Sequence, residues 1–97
     1  MMYSHPQRLS EKATTERRKQ AGSWLRELRE NRGLSQRELA GKVGTEYYSV
    51  ISQLETGRGR IPPDRYLGWA AALNVEPQGF VRTLRSYYDP LTHKILF

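Results

Sequence analysis

The sequence predicts an all-α fold, a compact bundle of five helices. Three observations carry that prediction. Apolar residues recur at helical spacing in short segments, as in Tyr47, Val50, Ile51 and Leu54 at i, i+3, i+4 and i+7. Glycine, asparagine or proline stands where each segment should start or stop. The links between segments are short, with no internal repeat and no low-complexity tract.

Ninety-seven residues suit one small domain that buries about 60–65% of its unfolded surface. A hydrophobic content of 37% is low for a globular chain and points to solvated ends around a compact middle. Sixteen Lys+Arg against ten Asp+Glu give a net charge of +6. That excess favours nucleic acid or an anionic lipid surface, or simply keeps the surface soluble. The absence of cysteine excludes disulfides and thiolate metal sites and fits a reducing compartment. The longest apolar run, Trp69–Leu73, falls far short of the ~18 residues of a spanning helix, and the N-terminus lacks a secretory apolar region. The expected location is the cytoplasm, at the nucleoid when DNA is bound.

Residues 1–14 show no apolar period and are expected to form a flexible basic arm. Thr14 or Thr15 caps a helix reaching Arg32, with Ala21, Trp24, Leu25 and Leu28 as its buried stripe and Gly33 as its stop. Ser35 and Glu38 form a capping box, and Leu34 with Leu39 supplies the hydrophobic staple of a second helix. That helix buries Leu39, Ala40 and Val43 and ends at Gly44. Thr45 is placed as the cap of a third helix, with Tyr47, Val50, Ile51 and Leu54 inward and Gly57 closing it. Residues 58–62 read as a loop. Pro63 opens a fourth helix, with Asp64 near the positive end of its dipole, Tyr66, Trp69, Ala70 and Leu73 inside and Asn74 as a left-handed cap. Pro77 opens a fifth, burying Phe80, Val81, Leu84 and Tyr87 or Tyr88, and Asp89–Pro90 stops it. Residues 89–97 are read as a strand or an extended strap, a candidate for dimerisation. The domain proper is thus 15–88, with a helix-turn-helix at 35–56.

Residues 34–57, LSQRELAGKVGTEYYSVISQLETG, resemble the Cro/XRE-type helix-turn-helix family of bacterial and phage regulators. The resemblance covers roughly residues 21–75 and rests on Ser35, Gln36, Leu39 and Ala40 at one end and Ile51, Ser52, Gln53, Glu55 and Gly57 at the other. Gly44 and Glu55 stand one residue further apart than is usual in the family. The turn beside Tyr47–Tyr48 is therefore longer, or the third helix starts a notch later. The resemblance implies a phage-repressor-like fold and a sequence-specific, double-stranded-DNA-binding transcriptional regulator, read as a repressor.

With Tyr47 assigned inward, the outer face of the third helix holds Tyr48, Ser49, Ser52 and Gln53, with Glu46 at its start. These five are the candidate base readers: glutamine pairs with adenine, serine bonds several bases, a carboxylate accepts from cytosine, and a ring meets the thymine methyl. A solvated polar face is the plainer alternative. Gln36, by resemblance, clamps the DNA backbone at the start of the second helix, with Arg37 beside it. Arg58 and Arg60 look like phosphate anchors, which position a protein without reading sequence. The run Arg17, Arg18 and Lys19 either joins them or forms a solvated face. Glu55 is expected to be structural.

Enzymatic readings find no support: HExxH, P-loop and Gly-x-Ser-x-Gly motifs are all missing, and His5 and His93 are distant in sequence and read as solvent-exposed. No metal, cofactor or small-molecule ligand is expected. One recognition helix covers too few base pairs for selectivity, so a homodimer on an inverted repeat is expected, with half-sites about 34–36 Å apart. Its seam is placed on Phe80, Leu84, Tyr88, Leu91, Ile95, Leu96 and Phe97. A protein co-regulator is compatible with this scheme. The alternatives are an antitoxin or adaptor that binds a partner protein through its tail, and charge-driven binding to any nucleic acid or anionic membrane.

Overall fold

The computed structural model describes residues 6–97. Helices α1 (Pro6–Asn31), α2 (Gln36–Val43), α3 (Tyr48–Glu55), α4 (Tyr66–Leu73), α5 (Pro77–Tyr88) and α6 (Pro90–Leu96) follow one another, with a 3-10 turn at Pro63–Arg65 leading into α4. The described residues contain no strand.

Helix α1 starts earlier than expected. Residues 6–14, assigned to an arm, are helical, and nothing between Pro6 and Asn31 breaks a helix. Proline at the first helical position costs no hydrogen bond, because that N–H has no partner anyway. Thr15 is therefore inside the helix, where its hydroxyl donates to the Glu11 carbonyl at 3.0 Å instead of capping. With 26 residues α1 is about 39 Å long, the larger part of the 51 Å long axis of the molecule. The expectations for Met1–His5, including His5, lie outside the described residues.

The second helix follows its sequence signals closely. The Glu38 N–H donates to Ser35 Oγ at 3.0 Å, and the Ser35 N–H donates to Glu38 Oε1 at 2.8 Å. Gly44 ends the helix with φ 79°, a conformation open to glycine at little cost, and its N–H returns to the Ala40 carbonyl. Asn74 closes α4 in the same left-handed region, at φ 55°. Helix α5 has a cap the sequence reading passed over: the Glu76 carboxylate accepts from the N–H groups of Gln78 at 2.7 Å and Gly79 at 2.8 Å.

The tail is neither strand nor strap. Pro90 takes the first position of α6, and the His93 N–H reaches back to the Asp89 carbonyl at 2.9 Å. Residues 89–97 therefore turn back as a short helix packed on α5. His93 is half-buried against the Phe97 ring at 5.2 Å and is not a freely solvated side chain.

The core gathers Ala21 and Leu25 of α1, Leu39 and Ala40 of α2, Ile51 and Leu54 of α3, Tyr66, Trp69, Ala70 and Leu73 of α4, and Phe80, Leu84 and Tyr88 of α5. Ile61, in the loop, is also fully buried. Trp24 stacks on Phe80 with ring centroids 5.4 Å apart, tying α1 to α5. This packing overturns one expectation directly. Phe80, Leu84 and Tyr88, assigned to a dimer seam, lie inside their own subunit, with Phe80 only 2% exposed. The Tyr88 hydroxyl accepts from the Ile61 N–H at 3.2 Å, and burial pushes its pKa above the usual phenol value.

Candidate nucleic-acid interface

Helix α3 can present a face outward only if something sets its angle against α1 and α2. That anchor is buried. The Arg29 guanidinium of α1 grips the Glu55 carboxylate of α3 through Nε–Oε2 at 2.6 Å and Nη2–Oε1 at 3.0 Å. Arg29 also donates to the Leu34 carbonyl at 2.7 Å, and Gln36 Nε2 of α2 donates to Glu55 Oε1 at 3.1 Å. One carboxylate thus joins three helices and the turn between two of them. Its hydrogen bonds raise the Arg29 pKa above the ordinary value, so the charge on Arg29 is secure. Glu55 was expected to be structural; Arg29 was missed, although a buried carboxylate demands a cation and the last turn of α1 held one.

A second close approach secures the same end of α3. A Cβ on Gly22 of α1 would collide with the Glu55 carbonyl, so the two backbones pack without a side chain between them. Beyond α3, Gly57 has φ 84°, and a Cβ there would lie 2.8 Å from the Lys19 backbone.

The outward face of α3 is polar at its centre. Ser49 and Gln53 are exposed and Ser52 is half-buried, while Ile51 and Leu54 point into the core. Tyr48 and Glu46 are exposed at its leading end, beside an open cleft between α2 and α3 lined by Arg37, Gly41 and Thr45. The Arg37 guanidinium lies 4.8 Å from the Tyr48 ring centroid and braces it.

Here the extra residue takes effect. The chain stays extended through Tyr47, which occupies the N-cap position, so Thr45 does not cap α3. Tyr47 makes no side-chain cap hydrogen bond and forgoes about 0.5–2 kcal/mol that a serine or aspartate there supplies. Its ring is 67% exposed, not inward as the spacing suggested, and Val50 is 37% exposed. A helix that begins at residue 48 leaves residue 47 outside the helical period that placed it in the core.

The phosphate-binding candidates divide between two places. Gln36 is held by Glu55 but keeps a second amide hydrogen free to donate. Arg58 and Arg60 are exposed after α3, and Arg60 rests 5.0 Å from the Tyr88 ring centroid. Lys19, exposed and 3.9 Å from Glu16, backs directly onto Gly57 and so stands beside that arginine loop. Arg17 and Arg18 are half-buried, and Arg17 donates to Thr14 Oγ1 at 3.3 Å. Among the described residues, no three His, Asp or Glu side chains gather as a metal site, and no helix is long and apolar enough to cross a membrane.

A helix-turn-helix family model matches residues 25–80, more than half of the chain, and takes in α2, α3 and the clamp that joins them. The chain belongs to the Cro/XRE-type helix-turn-helix family. As a member of that family it is a DNA-binding transcriptional regulator. It is similar in structure to the restriction-modification controller protein C.AhdI from Aeromonas hydrophila, with 35% identity and a TM-score of 0.58. The likeness covers 67% of this chain and 96% of the controller protein. No curated protein sequence matches. Helix α6 and most of α1 lie outside the matched helix-turn-helix unit.

Proposed function

We propose that this regulator is a repressor that binds an inverted-repeat operator as a homodimer. The observation that carries the reading is the exposed polar face of α3, held out from the core by the Arg29–Glu55–Gln36 clamp. Tyr48, Ser49, Ser52 and Gln53 read base edges in the major groove, with Glu46 at the entrance. Gln36, Arg37, Arg58, Arg60 and Lys19 hold phosphates on either side, and Arg17 and Arg18 add charge behind them. Repression follows from occupying a promoter in the cytoplasm. The likeness to a restriction-modification controller favours target genes of that kind.

The seam is reassigned to α6. Leu91, Ile95, Leu96 and Phe97 remain exposed, at 72%, 75%, 62% and 54%, and Leu67 of α4 is exposed at 72%. Leu67, Leu96 and Phe97 line one apolar groove with Val81. A second copy covering this surface doubles the base pairs read.

Selection of bound duplexes from a random pool tests the reading. A symmetric preferred sequence that survives an excess of random DNA is the expected outcome. Binding that random DNA competes away completely, fading steeply with salt, sinks it in favour of charge-driven association. A small protein that stays bound through purification and blocks the duplex from α3 favours the adaptor alternative.

A further inference from the structure

We propose that Tyr47 reads the operator directly, its ring receiving the 5-methyl group of a pyrimidine in the major groove. This rests on the DNA-binding reading above. Tyr47 immediately precedes α3, with two thirds of its surface open, and no intramolecular task accounts for it. It is absent from the core cluster, and its hydroxyl caps no helix N–H. The adjoining ring, Tyr48, is braced by Arg37, and Val50 is partly open on the next turn. Beside the exposed Glu46, the leading end of the recognition helix thus carries open apolar surface at Tyr47 and Val50, whereas Ser49, Ser52 and Gln53 beyond it are polar. The apolar feature of a major-groove edge is the methyl at C5 of thymine, a chemistry shared by 5-methylcytosine. An aromatic face offers that methyl burial, and burying about one such carbon changes affinity about four-fold.

The test uses the full chain and its selected duplex, with each thymine replaced singly by uracil and, in a second set, each cytosine by 5-methylcytosine. Wild-type protein should lose about four-fold at one thymine per half-site, or gain as much at one methylated cytosine. The first result names thymine as the source, the second 5-methylcytosine. Tyr47→Phe should keep the sensitivity. Tyr47→Ala should bind the methylated and unmethylated duplexes alike, with an unchanged melting midpoint because the ring packs on no core. Indifference of the wild-type protein to every methyl overturns the proposal without any variant. So does sensitivity that survives Tyr47→Ala, or that Tyr48→Ala alone removes. Failure to find a preferred duplex overturns the DNA-reading function itself, whereas a preferred duplex indifferent to methyls overturns only the role of Tyr47.

Discussion

Arg29 and Glu55, twenty-six residues apart in the chain, form a two-bonded ion pair beneath the recognition helix, and both are more than 90% buried. Removing one member leaves the other charged and without its partner in the interior, at a cost of about 3–5 kcal/mol. Glu55→Ala should therefore lower the thermal midpoint by more than ten degrees, on the order of 4–8 °C for each kcal/mol. The double variant Arg29→Met/Glu55→Leu should recover most of that loss, since paired burial is itself costly. It should not recover DNA affinity, because Gln36 has lost the acceptor that holds it. Equal midpoints for Glu55→Ala and wild type in differential scanning calorimetry would contradict this account.

Base readers and phosphate anchors should separate cleanly. Ser52→Ala is expected to alter which duplexes are selected while leaving the salt dependence unchanged. Arg58→Ala should weaken all duplexes alike and reduce the slope of log affinity against log salt by about one. Finding the opposite pattern in binding isotherms would reassign both residues.

Truncation after Asp89 removes Leu91, Ile95, Leu96 and Phe97 but leaves every residue of the buried core in place. Sedimentation should then report a monomer with its helical signal largely kept, and cooperative binding to an inverted repeat should be lost. A truncated protein that remains dimeric and binds as before removes α6 from the seam.

The backbone of α1 at Gly22 meets that of α3 with no room for a side chain. Gly22→Ala drives a methyl into the Glu55 carbonyl and forces α1 away from α3, costing about 1–3 kcal/mol despite the better helix propensity of alanine. A stabilised variant in urea unfolding would show that the two helices separate freely.

The capping box makes stability depend on pH in a stated direction. Hydrogen bonds from the Ser35 backbone N–H, and then from its side chain, hold the Glu38 pKa below its ordinary value of 4.5. A depressed carboxylate contributes stability that is present above the unfolded value and lost as pH falls through the folded one. Wild type should therefore exceed Glu38→Gln in melting midpoint at pH 6, and the gap should narrow as pH drops below about 4.5. A gap that stays constant into the acid range would exclude the carboxylate as its source.

How far the chain announces all this depends on the range of each interaction. Ser35 with Glu38, Gly44, Asn74 and Pro77 act within one turn of their own position, and each ends or starts a helix where local chemistry places it. The inward set Leu39, Ile51, Leu54, Trp69 and Leu73 follows from helical periodicity alone, because a stripe of that width must find a core. The family resemblance was legible for the same reason: its motif is a string of such local signals.

Tertiary structure decided the rest. Tyr47 falls in the helical period yet stands outside it, because the chain is still extended at Tyr47 and α3 begins only at Tyr48. Phe80 and Leu84 are as apolar as Leu91 and Ile95, but the first two face a neighbouring helix and the latter two face solvent. Nothing within one turn of Arg29 names Glu55 as its partner, and Lys19 meets Gly57 only because α1 crosses the end of α3 without a Cβ between them. Caps and periodicity are short-range and so are written in adjacent residues. Which face is covered, and which charge finds which, is settled only when distant segments exclude water from one another.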